Sequence, residues 1–337
     1  MKISELGEFG LINLLAEMAY GGKNDKVSAW QKLIRGIGDD TTAWQADSSV
    51  QLATVDSLIQ DIHFSLDITS WEELGWRAMA ANLSDIAAMG GSPEYALVSL
   101  ALPGSSEVED VTSLYKGMLN LTDKFGVALV GGDTSSAPLL VINITIIGST
   151  IGKDRVMLTR SAAEPGDKVA VTGYLGASGA GLEMLTKKLQ LDSESASYLR
   201  EAFLKPYPRV TEGQLLLKQG VKTAIDISDG LIADLKHICQ ASQVSASINI
   251  DSVPVHSSVR TNFADKALEL ALSGGEDYEL LFTASADIID KVRADVSCPI
   301  TVIGDIISDT KSEVALVNKD GKPVKIAKFG WEHFTKK

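Results

Sequence analysis

The sequence predicts a mixed α/β protein of two domains. Its 337 residues exceed the size at which a single hydrophobic core usually stops growing. Helix-like and strand-like hydrophobic patterns alternate along the chain, and the segment "GKDRVMLTRSAAEPGDKVAVTG" at 152–173, with its charged residues and a Pro-Gly turn, interrupts them. We place the domain boundary within 150–165. We therefore expect an N-terminal domain over residues 1–150 and a C-terminal domain over residues 151–337.

The first 150 residues contain predicted helices and strands in mixed order. The opening stretch at 5–19 has apolar residues at helical spacing, and "VQLATVDSLI" at 50–59 is typical of a buried strand. Four further segments follow in this order: a strand at 94–102, a helix at 106–126, and strands at 127–132 and 139–150.

Between the first two predicted strands, residues 70–91 predict a long helix with clear boundaries. Ser70 and Glu73 have the spacing of a capping box, in which each side chain accepts a backbone N–H of the first turn. Gly90 and Gly91 predict its end, because glycine readily adopts the left-handed conformation that terminates helices.

The second half holds a glycine-rich stretch at 172–185 and a strand-like run, "TAIDISDG", at 223–230. The glycines do not have the order of the dinucleotide-binding fingerprint. The chain also lacks a GxxxxGK[ST] loop and the motifs of protein kinases. An ATP-dependent enzyme with this sequence would therefore use a different nucleotide-binding fold.

Composition narrows the class of protein. The formal charge is −13, from 44 acidic and 31 basic residues, which argues against nucleic-acid binding because that requires a basic face. Apolar runs such as "LLVINITII" at 139–147 are too short to cross a membrane, and the first ten residues do not have the pattern of a signal peptide. Cys239 and Cys298 stand far apart, with no metal-site spacing and no sign of a disulfide scaffold, so we expect a cytoplasmic protein. From the charge and the short apolar runs we expect neither nucleic-acid nor membrane partners.

Acidic residues follow glycine bends at three places: "GIGDD" at 36–40, "GGDTSS" at 131–136 and "GGEDYEL" at 274–280. For the first, taken alone, an ordinary turn is the favoured interpretation, because Gly and Asp are common turn residues. The repetition nevertheless suggests sites at which the backbone approaches a ligand and carboxylates bind cations.

Two aspartates occur where burial would be expensive. Asp56 interrupts an apolar strand pattern, and aspartate is depleted in strands and costly to bury without a partner. Asp85 lies on a helix face of small and apolar residues that includes Asn82, so its carboxylate would be buried and would need a cation or several donors. The alternative for Asp85 is a structural hydrogen bond to Asn82 or to a loop.

The remaining acids lie at predicted strand ends. Asp133 follows the run "VALV", and Asp226 and Asp229 occur in "DISDG". Asp229 also has the position of a helix N-cap, whereas Asp226 does not. Glu276 and Asp277 precede a further strand.

Together these acids predict magnesium-assisted chemistry. Carboxylate oxygens are typical ligands of Mg²⁺, which also binds substrate phosphates. Phosphoryl transfer uses such ions to neutralise charge on the transferred group. The four histidines are scattered and form no zinc-like cluster with cysteines in the sequence.

Seven motifs in one order resemble the thiamine-monophosphate kinases, a family of the aminoimidazole-ribonucleotide synthetase superfamily. They are "GIGDD", "VDSLIQDIHF", "NLSDIAAMG", "GGDTS", "LTRSAAEPGD", "DISDGL" and "SGGEDYEL", and the resemblance extends from Gly7 to the C-terminal "GWEHF". It implies two α/β domains and a homodimer joined through N-terminal-domain strands. The implied reaction is transfer of phosphate from ATP to thiamine monophosphate, giving thiamine diphosphate.

The resemblance also implies roles for individual residues, with Asp133 and Asp229 essential for catalysis. The implied metal ligands are Asp40, Thr54, Asp56, Asp85, Asp133, Asp226 and Asp229. The implied ATP-binding residues are Tyr115, Gly132, Asp133, Arg160 and Ser228. His63, Glu276 and Trp331 would bind thiamine monophosphate, with the indole able to stack on a flat ring.

One position departs from the family pattern. Many relatives have a hydroxyl residue immediately before the strand aspartate, where this chain has Val55. A ligand contributed by Val55 could come only from its backbone carbonyl.

Other members of the superfamily are the nearest alternatives. Among them, selenophosphate synthetases typically need a reactive cysteine or selenocysteine near the N-terminus, and the related hydrogenase-maturation enzyme has a C-terminal cysteine. Here no cysteine precedes Cys239 and the chain ends "EHFTKK", so both absences favour the thiamine kinases over these two enzymes. A third sister enzyme, a formylglycinamidine cyclase, is also an alternative. A non-catalytic nucleotide-binding or metal-binding regulator is another alternative, whereas a calcium-binding structural protein would need EF-hand spacing.

Overall fold

The computed structural model describes residues 1–21, 23, 26–37, 42–152, 156–326 and 330–331. The chain forms two compact units, and α/β structure in both confirms the predicted fold class. Unit 1 comprises Met1–Ile86 and Ser92–Arg155, and unit 2 comprises Ala87–Gly91 and Val156–Lys337.

Unit 1 is built around a four-stranded sheet and two long helices. Its helices are α1 (Ile3–Leu6), α2 (Glu8–Gly21), α3 (Ser28–Lys32), α4 (Trp71–Ala88) and α5 (Val108–Phe125). Its strands are β1 (Leu33–Arg35), β2 (Ala43–Trp44), β3 (Gln51–Ile59), β4 (Ser92–Leu102), β5 (Ala128–Ser136) and β6 (Val141–Ser149). The opening helix differs from the prediction because Gly7, at φ 77°, separates α1 from α2.

The main sheet of unit 1 has the strand order β3-β6-β4-β5, so β3 and β5 are its edges. Burial alternates along β3, with Leu52 and Leu58 buried and Val55 56% exposed. The expectation that 50–59 is a buried strand is therefore wrong for one face. An edge strand with one covered face explains why apolar and polar residues coexist in this run.

The predicted boundaries of α4 are confirmed by its N-terminal contacts. The Glu73 carboxylate accepts the Ser70 N–H at 3.0 Å, and the Ser70 hydroxyl accepts the Glu73 N–H at 3.3 Å. This reciprocal pair satisfies two of the donors that a helix start leaves without an intrahelical acceptor. Gly90 follows the helix with a positive φ of 66°.

Unit 2 is a six-stranded sheet covered by helices. Its strands are β7 (Lys168–Thr172), β8 (Thr223–Asp226), β9 (Ser245–Asn249), β10 (Leu280–Ala284), β11 (Ile300–Ile307) and β12 (Val314–Val317). Its helices are α6 (Ala177–Lys187), α7 (Ser193–Leu204), α8 (Val210–Lys218), α9 (Leu231–Ser242), α10 (Ser257–Asn262), α11 (Ala267–Ser273) and α12 (Ala286–Asp295), with a short 3₁₀ turn at Ile250–Ser252.

The sheet of unit 2 has the order β12-β9-β11-β7-β10-β8, and only its β12–β9 pair is parallel. Apolar side chains of β7, α6, α9 and β9 form its buried core. The strand predicted at 223–230 ends earlier, at Asp226, because the following residues form a loop that leads into α9. Across the described residues, every helix is too short or too polar to span a membrane.

Candidate functional site

Two candidate acids of unit 1, Asp56 and Asp85, lie where β3 packs against α4. The Thr54 hydroxyl, on β3, donates a short hydrogen bond to the Asp85 carboxylate, on α4. Asp85 is half-buried rather than fully buried as predicted, and Thr54 is one of its hydrogen-bond partners. The Thr54 hydroxyl oxygen and an Asp85 carboxylate oxygen are therefore within hydrogen-bonding distance.

Asn82 connects the same two elements and is completely buried. Its side-chain oxygen accepts the backbone N–H of Asp56 at 3.1 Å, and its amide group donates to the Ala78 carbonyl at 3.1 Å. With both ends bonded, the side chain fixes β3 in register against α4. We name Thr54, Asp56, Asn82 and Asp85 the strand–helix cluster.

The two carboxylates of the strand–helix cluster repel each other. Burial, followed by the charge of Asp85, raises the pKa of Asp56 to about 6. A divalent cation between such groups would remove this penalty, because an opposite charge favours the ionised form of each acid. The donor set, two carboxylates and a hydroxyl, matches the oxygen ligands of Mg²⁺.

Asp133 lies inside a strand, not at its end as predicted. β5 continues to Ser136, and Asp133 pairs with Ser99 of β4. Gly132 precedes it, and a Cβ added there would lie 1.9 Å from the Val98 carbonyl oxygen. Glycine is required at that position because the two strands approach so closely. Asp133 itself is exposed, at an edge of the sheet.

The other predicted residues of unit 1 have different surroundings. His63 accepts the Ile59 N–H through Nδ1 at 3.1 Å, so one ring nitrogen already stabilises the turn after β3. Tyr115 lies on α5, is 5% exposed and has its pKa raised by burial, which leaves little surface for contact with a nucleotide. Asp40 lies outside the described residues.

The acidic residues of unit 2 lie at the end of β8 and in the loop after it. Asp226 is the last residue of β8 and is 3% exposed. Asp229 is not the N-cap that its position allowed, because Gly230 takes that place. Its side chain is half-buried.

A second loop is hydrogen-bonded to the first. The Glu276 N–H donates to the Ser228 carbonyl at 2.8 Å, and the Tyr278 N–H donates to the Ile227 carbonyl at 3.0 Å. Glu276 and Tyr278 have φ values of 56° and 50°, which are uncommon for residues with a Cβ. Such backbone strain often accompanies ligand sites.

Trp331 belongs to the same group of loops. Its N–H donates to the Asp229 carbonyl at 3.0 Å, and its side chain is 42% exposed. The structure therefore brings together Ser228, Asp229, Glu276 and Trp331, which are distant in sequence. We name loops 226–230 and 275–279, together with Trp331, the loop cluster.

Asp277 secures the second loop from the other side. Its carboxylate accepts the N–H groups of Gly176 at 2.7 Å and Ser178 at 3.1 Å, at the start of α6. Burial raises the pKa of Asp277 to about 7, although these N–H bonds favour the ionised form. The glycine-rich stretch at 172–185 thus supplies donors to an internal carboxylate.

Asp234, on α9, contacts the loop cluster, and the sequence did not identify it as a candidate. Its carboxylate accepts backbone N–H groups from the 228–230 turn, and it is 2% exposed. An acidic residue in the first turn of a predicted helix is a recognisable signal, because it complements the helix dipole. Burial, followed by the charges of Asp226 and Asp229, raises its pKa to about 8.

One group of three ionisable side chains among the described residues has ligand atoms all within 4.8 Å of one another: Asp229, Asp234 and His237. Crowded carboxylates of this kind fit a divalent cation, which would favour the ionised form of each. Arg160, predicted to bind ATP, is exposed, and its backbone carbonyl accepts the Ser242 hydroxyl at 2.8 Å.

Comparison with known proteins gives matches that cover both units. Residues 38–150 match the family "AIR synthase related protein, N-terminal domain", and residues 164–317 match "AIR synthase related protein, C-terminal domain". The thiamine-monophosphate kinase of Bacillus subtilis (strain 168) is 39% identical over 306 residues, covering 89% of this chain and 93% of the relative.

Two solved structures have the same fold. The thiamine-monophosphate kinase from Stenotrophomonas maltophilia K279a has a TM-score of 0.81 at 33% identity, covering 94% of this chain and 98% of that one. AaThiL complexed with AMPPCP and TMP has a TM-score of 0.76 at 33% identity, covering 99% of each chain. This extent of similarity over both units shows that the chain belongs to the thiamine-monophosphate kinase family.

Proposed function

We propose that this protein transfers the γ-phosphoryl group of ATP to thiamine monophosphate, giving thiamine diphosphate and ADP. The observation that carries the proposal is the similarity to AaThiL complexed with AMPPCP and TMP, which covers 99% of both chains. The AMPPCP in that complex is an analogue of ATP, and we take its TMP as thiamine monophosphate. ATP and thiamine monophosphate are the two substrates that the proposed reaction requires.

Magnesium ions would be held by side-chain oxygens of both units. In unit 1 the proposed ligands are the Thr54 hydroxyl and the carboxylates of Asp56, Asp85 and Asp133, and Asp40 outside the described residues is proposed with them. In unit 2 they are Asp226 and Asp229. The raised pKa of Asp56, caused by burial and by Asp85, supports the proposal because a cation bound near both carboxylates would favour their ionised forms. Val55 would contribute at most its carbonyl oxygen.

The organic substrates would be bound by residues of other types. ATP would contact Gly132, Asp133, Arg160 and Ser228, with Tyr115 retained only as a neighbour because its side chain is buried. Thiamine monophosphate would contact His63, Glu276 and Trp331. The exposed Trp331 indole offers a flat surface on which an aromatic ring could stack.

The chemistry needs little from a general base. A phosphate monoester has a second pKa of about 6, so the attacking oxygen of thiamine monophosphate is already ionised at neutral pH. The main obstacle is repulsion between two polyanions, about 4 kcal/mol for each pair of unit charges at 4 Å and an effective dielectric constant of 20. Bound Mg²⁺ supplies the neutralising charge. The protein's own contribution is to position the acids and to align the two phosphates for in-line transfer.

We also propose that the protein is a cytoplasmic homodimer joined through strands of unit 1. The exposed Val55 on the edge strand β3 supports this, because an edge with an uncovered apolar residue is a common pairing surface. Light scattering coupled to gel filtration measures the mass directly, and a monomer at micromolar concentration would contradict the dimer.

Product analysis tests the proposed reaction. Purified protein is incubated with ATP, MgCl₂ and thiamine monophosphate, and the thiamine phosphates and nucleotides are separated by chromatography. We expect thiamine diphosphate and ADP in equal amounts, and neither product when MgCl₂ is replaced by EDTA. Magnesium-dependent ATP binding without product would instead support a non-catalytic regulator or an enzyme acting on another substrate.

A further inference from the structure

We propose that Asp234 is a positioning residue, whose buried carboxylate holds the turn of residues 228–230 in the conformation needed for phosphoryl transfer. The inference rests on the proposed function, which assigns Ser228 to nucleotide binding and Asp229 to cation binding. Asp234 itself would contact neither substrate.

Three consecutive N–H groups converge on one atom of this side chain. Asp234 Oδ2 accepts the N–H of Ser228 at 3.1 Å, of Asp229 at 3.2 Å and of Gly230 at 3.1 Å. A single carboxylate therefore fixes the backbone of every residue in the turn.

The carbonyl groups of the same turn hold the proposed substrate-binding residues. The Ser228 carbonyl accepts the Glu276 N–H at 2.8 Å, and the Asp229 carbonyl accepts the Trp331 N–H at 3.0 Å. Peptide planes are rigid, so rotation of the turn would move both partners. Asp234 thus determines the position of groups assigned to cation, nucleotide and thiamine monophosphate.

An ordinary helix cap could not take over this role. The N-cap of α9 is Gly230, which has no side chain, and its φ is 118°. A Cβ added there would lie 2.9 Å from the Ser273 Cα, so a capping Ser or Asp would clash with the neighbouring backbone. The acceptor must come from further along the helix, and Asp234 provides it.

Two variants separate positioning from direct ligation. Asp234→Ala removes the acceptor, whereas Asp234→Asn keeps a neutral oxygen that can still accept N–H groups. Asp192→Ala is the matched control, because Asp192 caps α7 by accepting the Ser195 N–H at 2.9 Å and has no proposed role in the site.

The first readout is amide hydrogen exchange in the substrate-free protein. We expect exchange at residues 228–230 to rise at least about tenfold in Asp234→Ala and by less than about threefold in Asp234→Asn.

The second readout is steady-state kinetics with thiamine monophosphate. We expect KM for Mg-ATP to rise at least about tenfold and kcat to fall in Asp234→Ala, with most of both recovered in Asp234→Asn.

The outcomes distinguish failure of this inference from failure of the proposed function. Wild-type exchange at 228–230 in Asp234→Ala would overturn positioning, whatever the activity. Asn as damaging to catalysis as Ala, with the turn still protected, would also overturn it and would make Asp234 a direct ligand. Wild-type protein that forms no thiamine diphosphate would refute the proposed function, while the exchange measurement would still test the contact. The control should match wild type in exchange at 228–230, kcat and KM.

Discussion

Among the described residues, the candidate ligand acids of unit 1 lie on helices and strands, whereas those of unit 2 lie mainly on loops. In the strand–helix cluster, Asp56 and Asp85 are placed by the pairing of β3 and by its packing against α4. In the loop cluster, Asp229 and Glu276 are placed by hydrogen bonds between two loops. Both units therefore bring carboxylates together, unit 1 by strand pairing and helix packing and unit 2 by hydrogen bonds between loops.

This difference determines what holds each cluster together. Around β3 and α4 the buried contacts are made by side chains, Thr54 with Asp85 and Asn82 with the Asp56 backbone. Around the loops they are made by two carboxylates, Asp234 and Asp277, that accept backbone N–H groups. Acidic side chains in unit 2 thus serve as hydrogen-bond acceptors for the backbone, in addition to any role in binding cations.

The largest expected effect is loss of activity when a proposed cation ligand is neutralised in either unit. Asp85→Asn, Asp133→Asn and Asp229→Asn should each lower kcat by at least about 10³-fold, because several kcal/mol of charge stabilisation are lost. Melting temperatures should stay close to wild type, since amide side chains preserve size and hydrogen bonding. Asp287→Asn, an exposed acid at the start of α12, is the control. Rates within tenfold of wild type in these variants would refute the role of the acids.

A smaller effect concerns pH and is expected at Asp277 of unit 2. Because burial raises the pKa of Asp277 to about 7, the folded protein binds a proton here more readily than the unfolded chain, whose aspartates have a pKa of about 3.9. The resulting stabilisation is complete below pH 4 and is lost as pH rises through 7. Asp277→Asn cannot lose it, so its unfolding free energy should gain on wild type by up to about 4 kcal/mol between pH 4 and pH 8.

Denaturant titration of both proteins across this pH range measures the effect. An amide nitrogen in place of one acceptor oxygen carries a constant cost, because it faces an N–H of Gly176 or Ser178. Only the pH dependence of the difference is therefore informative. Parallel curves for wild type and variant would mean that the Asp277 carboxyl has an ordinary pKa.

The smallest effect is expected for Thr54→Val, which removes the hydroxyl donor of the strand–helix cluster at nearly constant volume. The lost hydrogen bond to a carboxylate should cost about 1–2 kcal/mol of unfolding free energy in metal-free protein. It should also raise the Mg²⁺ concentration required for half-maximal activity several-fold. Thr54→Ser keeps the hydroxyl and should behave like wild type; equal effects of both substitutions would assign the loss to packing of the methyl group.

The sequence predicts best where the determinants are local. The capping box of Ser70 and Glu73 and the glycine after α5 act within one helical turn, so their patterns are sufficient. The end of β5 could not be predicted in this way. Gly132 suggested a break, but close contact with Val98 of β4 lets the strand continue through Asp133.

The loop cluster shows the same limit more strongly. The acids in "DISDG" and "GGED" are recognisable as candidates, but nothing local predicts that Asp277 accepts N–H groups from residues 176 and 178. Likewise, the bond between Trp331 and Asp229 joins positions separated by more than half of unit 2. Pairings of this kind depend on the folded arrangement of strands and were supplied only by the structure.

Counting bound cations tests most directly the central claim that acids of both units bind divalent metal. Mn²⁺ binding is measured by electron paramagnetic resonance in the presence of a non-hydrolysable ATP analogue, for wild type, Asp85→Asn and Asp229→Asn. The account predicts that each variant binds fewer ions than wild type at the same free Mn²⁺ concentration. Wild-type Mn²⁺ binding by both variants would contradict it.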